Sequence, residues 1–271
     1  MTRPQNWQAV AFNPATESTN QIHSDAMAKA YGYRGGLVPG VVVSGYLVNP
    51  AVLAWGKDWL ERGEAKVIVS KPLYDGLNFE VQLSAQTDQS YQAQLIDEEG
   101  TLCASAEVSL NPAPAPLPIL RGDPLLTPDE EILPAELKEM QRLKTAGMKS
   151  LGITWHERHK MSVYLKDSAQ MPEIHRLSAG GFAHGAFLLG ITNWVLAGNA
   201  YMNPWVHLQT TSRFLQAVPF GTALIAECEI KDLFSKKGHD FVDVAVNIFA
   251  TESQTPVMTA ELRAIYKMRP A

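Results

Sequence analysis

Cysteine is nearly absent from this 271-residue chain, with Cys103 and Cys228 the only two. Both sit inside strand-like runs at places that do not correspond to one another, so they read as buried free thiols in a reducing compartment, not as a disulfide. Charge is scarce as well: 19% of residues are charged, and the net value of −5 comes without any Lys/Arg block. That excludes the electrostatic footprint of a nucleic-acid binder. Long apolar runs are missing too. Residues 35–56 and 177–212 contain no Asp, Glu, Lys or Arg, but each is interrupted by Gly and Pro and dotted with polar residues. Neither offers the roughly 20 consecutive apolar residues of a membrane span, and both read as helices buried on every side. Residues 1–7 lack the apolar core of a signal peptide, which makes the cytoplasm the expected location. No Gly-rich nucleotide loop, Gly-x-Ser-x-Gly elbow or cysteine nucleophile setting occurs, so the expectation is chemistry without a cofactor.

What the chain does contain is an internal repeat. Gly35, Gly36, Gly40 and Gly45 recur as Gly180, Gly181, Gly185 and Gly190, and Gly76 recurs as Gly221, all at one offset (221 − 76 = 145). In each copy a Gly-rich turn opens onto an apolar stretch, residues 41–55 and 186–198, and a Pro and a Gly then precede a stretch of period-two alternation. Alternation after a turn signals a strand. The pattern Ala106-Glu107-Val108 returns as Ala260-Glu261-Leu262 at a larger offset (260 − 106 = 154), so the second copy holds nine more residues (154 − 145 = 9), placed here around the 235–238 turn. A helix followed by long antiparallel strands, written twice, predicts an α+β fold.

The predicted organisation is a first domain over residues 1–111, a connector over 112–148 and a second domain over 149–271. The connector opens with the Pro-rich stretch 111–118, an extended strap. Thr127-Pro128-Asp129-Glu130 has the composition of a helix start, and a charged helix is expected to run through residues 136–144.

Upstream of the first Gly-rich turn lies Ser18-Thr19-Asn20-Gln21-Ile22-His23-Ser24-Asp25, followed by Ala28 and by Tyr31-Gly32-Tyr33-Arg34-Gly35-Gly36-Leu37-Val38-Pro39-Gly40. This segment resembles the signature of the MaoC-like, R-specific enoyl-CoA hydratases, whose pattern is Asp-x-Asn-Pro-x-His, a short helix and an apolar turn ending in Gly at the head of a central helix. The resemblance implies two tandem hot-dog domains, each a central helix wrapped by an antiparallel sheet. It also implies an acyl thioester, acyl-CoA above all, as binding partner, and a homodimer as a possible assembly. His23 takes the place of the catalytic His, Asn20 that of the conserved Asn, and Gly40 with Val38 that of the oxyanion and substrate-binding turn. The family's Asp is replaced by Ser18 and its Pro by Gln21, so a carboxylate would have to come from Glu17 or Asp25. The chemistry fits these types independently, since His titrates near neutrality and a helix N-terminus presents unpaired N–H groups to a developing oxyanion. Three readings stay open: hydration of 2-enoyl thioesters or its reverse, thioester hydrolysis, and acyl-thioester binding without catalysis.

At the 145-residue offset the counterparts of Ser18, Asn20 and His23 are Val163, Leu165 and Ser168, so the second copy is expected to carry no such site. The 155–159 stretch places two His residues three apart, not the four of the helical zinc-protease motif, and no metal site is expected. His184, at the entrance of the second apolar stretch, reads as a core or pocket residue.

Overall fold

A computed structural model describes residues 2–156 and 171–269. In the first part of the chain, β1 (Trp7–Val10), α1 (Asp25–Ala30), α2 (Gly40–Trp55) and α3 (Lys57–Arg62) lead into β2 (Gly63–Val69), β3 (Asn78–Ser84), β4 (Ser90–Asp97) and β5 (Leu102–Leu110). After α4 (Leu137–Ala146) the order returns, as β6 (Leu151–Thr154), α5 (Gly185–Asn199), β7 (Val206–Phe214), β8 (Ala223–Lys236), β9 (His239–Ala250) and β10 (Pro256–Lys267). These strands form one sheet in the order β1-β3-β4-β5-β2-β7-β10-β9-β8-β6, with antiparallel pairings throughout. The second half repeats the order of the first in reverse. Its register carries the symmetry too: where the halves meet, Lys66 faces Thr211, its own counterpart (211 − 66 = 145), and Glu64 faces Arg213 while Ile68 faces Gln209. A two-fold pseudo-axis therefore passes through the β2–β7 seam.

The extra residues of the second copy lie mostly where expected. Leu83 pairs with Ala93 and its counterpart Cys228 pairs with Val246, so the offset has already grown by eight across the β8–β9 hairpin (246 − 93 = 153). One further residue enters at the β9–β10 turn, where Ala104 corresponds to Met258 (258 − 104 = 154). Gly76 and Gly221 are true equivalents, with φ of 76° and 85°, each donating its N–H to a carbonyl at the start of its half, Ala11 and Trp155. Only glycine holds that conformation cheaply.

Both central helices are apolar around their circumference because each packs against the other and against the sheet. Val41 to Val52 of α2 are all buried, as are Ala186 to Thr192 of α5. In β4, Tyr91, Ala93 and Leu95 are buried between exposed Gln92 and Gln94, the alternation of a sheet covered on one face. The helices approach closely at Gly45, where a Cβ would lie 2.9 Å from His184 Cε1 and 3.0 Å from Ala186 Cβ. Among the described residues no helix is long and apolar enough to cross a membrane.

Two expectations need correction. Residues 127–130 form a turn and not a helix start; the helix begins after Pro134, as α4, since that proline would fall inside a helix begun at Thr127. The Gly35-Gly36 and Gly180-Gly181 pairs also differ: Gly180 and Gly181 have φ of 107° and 57°, while Gly36 is required because a Cβ there would lie 2.3 Å from the His23 carbonyl oxygen. Cys103 and Cys228 are buried free thiols, and burial raises them to about 11 and about 12.

Candidate functional site

The site is built where the first half's loop meets the second half's backbone. Gln21–His23 form a single 3-10 turn before α1. Asn20, buried at the head of that turn, pairs with the main chain of Trp205: its Oδ1 accepts from Trp205 N at 3.2 Å and its Nδ2 donates to Trp205 O at 3.0 Å. Beside it, Gln21 N donates to Asn203 Oδ1 at 3.0 Å. The motif of one half is thus fixed by residues of the other.

This anchoring orients His23. Its Nδ1 lies 2.7 Å from Leu37 O, an atom that only accepts, so Nδ1 carries the proton and Nε2 keeps its lone pair. Asn20 Nδ2 donates to that lone pair at 3.4 Å, a long bond that a catalytic water must share or displace. The His23 carbonyl is held in turn by Asn13 Nδ2 at 3.0 Å and covered by Gly36.

His23 opens onto a cleft of about 120 Å³ and onto a smaller cavity of about 80 Å³. The larger is bordered by Val38 and Gly40 from the first half and by Asn193, Trp205 and His207 from the second, with Lys71 exposed among its lining residues. Gly40, the first residue of α2, is among its lining residues. Pro39 precedes the helix and supplies no side-chain cap, and the Gly40 N–H has no partner among the described residues. The positive end of a 16-residue helix therefore faces the cleft. The Val38 N–H is already committed to Leu73 O at 2.9 Å, so it is not a second donor for an oxyanion. Glycine at position 40 lets the His207 ring pack directly on the helix start, since a Cβ would stand 3.1 Å from it.

The remaining sequence candidates divide. Ser18 borders the smaller cavity with His23, and its Oγ accepts from Asn20 N at 3.2 Å. Asp25 is turned to the backbone of the Gly-rich turn, where Oδ1 accepts from Gly36 N at 2.8 Å, and its other oxygen is 3.9 Å from Lys29 Nζ. Glu17 is exposed. Neither carboxylate lines the cleft or the smaller cavity, and no Asp or Glu does among the described residues.

The second half does contain a counterpart of His23, contrary to the fixed-offset expectation. His175 ends the 3-10 turn Glu173–His175, and its Nδ1 lies 3.0 Å from the carbonyl of Phe182, the equivalent of Leu37 (182 − 37 = 145). The two histidines are offset by 152 (175 − 23 = 152), because 14 positions separate His23 from its carbonyl and only 7 separate His175 from its own. The turn Leu177–Ala179 stands where the first half has α1. Val163, Leu165 and Ser168 lie outside the described residues, as does the end of the 155–159 stretch. Within that stretch, Trp155 is buried and donates from Nε1 to Gly181 O at 2.8 Å.

The two helix starts are not alike. At α5 the His184 side chain caps the helix, accepting from Ala186 N at 3.0 Å, and its Nε2 sits 3.1 Å from Asn49 Oδ1. His175 packs edge-on against His184, with centroids 4.7 Å apart. Burial pushes His175 down to about 4 and His184, beside it, well below the ordinary range. Both are neutral parts of the core at pH 7. A side chain caps the start of α5, whereas the start of α2 has no side-chain cap and borders the cleft.

No protein-family model matches the chain, and no curated protein does. Solved structures do match along nearly its whole length. A conserved hypothetical protein from Mycobacterium tuberculosis, described as having a double hotdog fold, superposes with a TM-score of 0.60 over 98% of this chain and 96% of that one, at 12% identity. The fold is a double hot dog. A MaoC-like dehydratase gives a TM-score of 0.54 at 12% identity, covering 97% and 98% of the two chains. The tesB protein of Mycobacterium avium subsp. paratuberculosis gives 0.53 at 11% identity, covering 97% and 93%. At such identities the double hot dog is what these proteins share with the chain.

Proposed function

We propose that this double hot-dog protein binds an acyl thioester in the cleft between its halves and catalyses hydration of a 2-enoyl thioester, or the reverse dehydration. The observation that carries the reading is the meeting, in one cleft, of a His23 Nε2 lone pair with the uncapped start of α2. His23 takes a proton from water as the water oxygen bonds to the β carbon, and the negative charge passes through the conjugated system to the thioester oxygen. The Gly40 N–H stabilises that oxygen with the helix dipole behind it. The imidazolium then returns the proton to the α carbon, so one base serves both transfers and water is added across the double bond. Lys71 at the cleft favours a phosphate-bearing carrier such as coenzyme A. The MaoC-like dehydratase among the structural relatives accords with this choice.

Hydrolysis assisted by a carboxylate finds less support, because Glu17 and Asp25 both lie outside the cleft. A panel of 2-enoyl-CoAs with purified protein tests the reading. The expected result is loss of enoyl absorbance without release of free thiol. Thiol release would establish a hydrolase instead, and binding without turnover would leave a non-catalytic acyl-thioester binder.

A further inference from the structure

The second half brings to the cleft a chain of polar groups with no local sequence motif. His207, on β7, is buried with Nε2 2.5 Å from Thr210 Oγ1 and Nδ1 3.1 Å from Asn193 Oδ1 on α5. An amide oxygen only accepts, so His207 Nδ1 carries the proton and Nε2 accepts from the Thr210 hydroxyl. Burial pushes His207 down to about 3, which keeps the ring neutral at physiological pH, and the contact with Asn193 Oδ1 sets which nitrogen holds its one proton. The Asn193 amide is thereby fixed with its oxygen toward His207 and its NH2 on the opposite side. That nitrogen has no hydrogen bond among the described residues, and Asn193 borders both cavities that His23 opens onto. His207 itself packs on Gly40, so the amide and the start of α2 border one space.

From this arrangement we infer that Asn193 Nδ2 is a second donor to the thioester oxygen, beside the Gly40 N–H, and that Thr210 and His207 are positioning residues that hold the Asn193 amide in the donating orientation. The inference rests on the thioester reading above and adds a contribution of the second half to the chemistry. A lone backbone N–H leaves an oxyanion half-satisfied, and a fixed amide completes a two-donor arrangement without adding charge.

The test uses the full-length protein and crotonyl-CoA labelled with 13C at the thioester carbonyl, followed by infrared difference spectroscopy and by turnover. Wild type is expected to shift the bound carbonyl band to lower frequency. Asn193→Ala is expected to lose part of that shift and to lower kcat by roughly 100-fold with little change in KM, the usual scale for one oxyanion donor. Thr210→Val is expected to lower kcat by roughly 10-fold while Thr210→Ser restores it, a rescue that separates orientation of the amide from mere packing. An Asn193→Ala protein with the wild-type band position and kcat overturns the inference and leaves the hydratase reading standing. If wild type binds crotonyl-CoA without turnover, the band still decides: retention of the full shift in Asn193→Ala overturns the inference, and loss supports it. Absence of any binding overturns both readings.

Discussion

Replacing His23 with alanine is expected to lower the rate of enoyl-thioester hydration by roughly 100-fold or more while leaving the thermal transition close to that of wild type. The effect on rate is large because no carboxylate among the described residues lines the cleft, which leaves both proton transfers to His23. The effect on folding is expected to be small because the side chain is only half-buried. Rates at saturating 2-enoyl-CoA, compared with circular-dichroism melts of the same samples, check both halves of the expectation. Unchanged turnover would remove His23 from the mechanism.

The second large effect concerns the backbone behind that histidine. Gly36→Ala is expected to destabilise the protein by about 3 kcal/mol, toward the upper end of overpacking penalties. The added Cβ would meet the His23 carbonyl oxygen at 2.3 Å and its carbon at 2.8 Å, and both are main-chain atoms that cannot rotate aside. Relief requires the 3-10 turn to move, which breaks the bond from Asn13 Nδ2 to His23 O and misaligns Nε2. Activity should therefore fall together with stability. Gly152→Ala is the control, since its Cβ would meet only Leu125 Cδ2, at an ordinary 3.7 Å. Urea unfolding of the two variants should separate them clearly, and equal midpoints would show that the turn tolerates the methyl group.

How much of this could be read in the sequence depends on how locally each feature is encoded. The glycine offset exposed the duplication because backbone requirements repeat with the fold: Gly76 and Gly221 hold the same left-handed turn, and Gly40 and Gly185 both begin a central helix. Asn20 and His23 were legible as a pair because three positions of one turn bring them together. His175 was hidden by the same offset that revealed the repeat, because the second copy spans its turn with seven fewer residues. The pattern Ile-His ahead of Gly-Gly, in both copies, was the available signal.

Asn193 and His207 carry no mark in the sequence around them. They reach the cleft only once β7 pairs with β2 and α5 packs on α2, contacts between residues more than a hundred positions apart. The one sequence hint is the occurrence of Asn and His inside the charge-free run 177–212, where burial makes each polar group demand a partner. A catalytic role for Glu17 or Asp25 depends on which way two side chains turn, which the sequence does not encode locally. Asp25 turns to the Gly36 N–H, an anchor that follows from the loop's need to satisfy its own backbone.

A crystal structure of the protein with a bound 3-hydroxyacyl-CoA tests the central claim most directly. The account predicts the thioester oxygen within hydrogen-bonding reach of the Gly40 N–H, the 3-hydroxyl against His23 Nε2, and the carrier leaving the cleft past Lys71. A thioester bound elsewhere on the sheet, or lying in the cleft with its oxygen turned away from the start of α2, would contradict it.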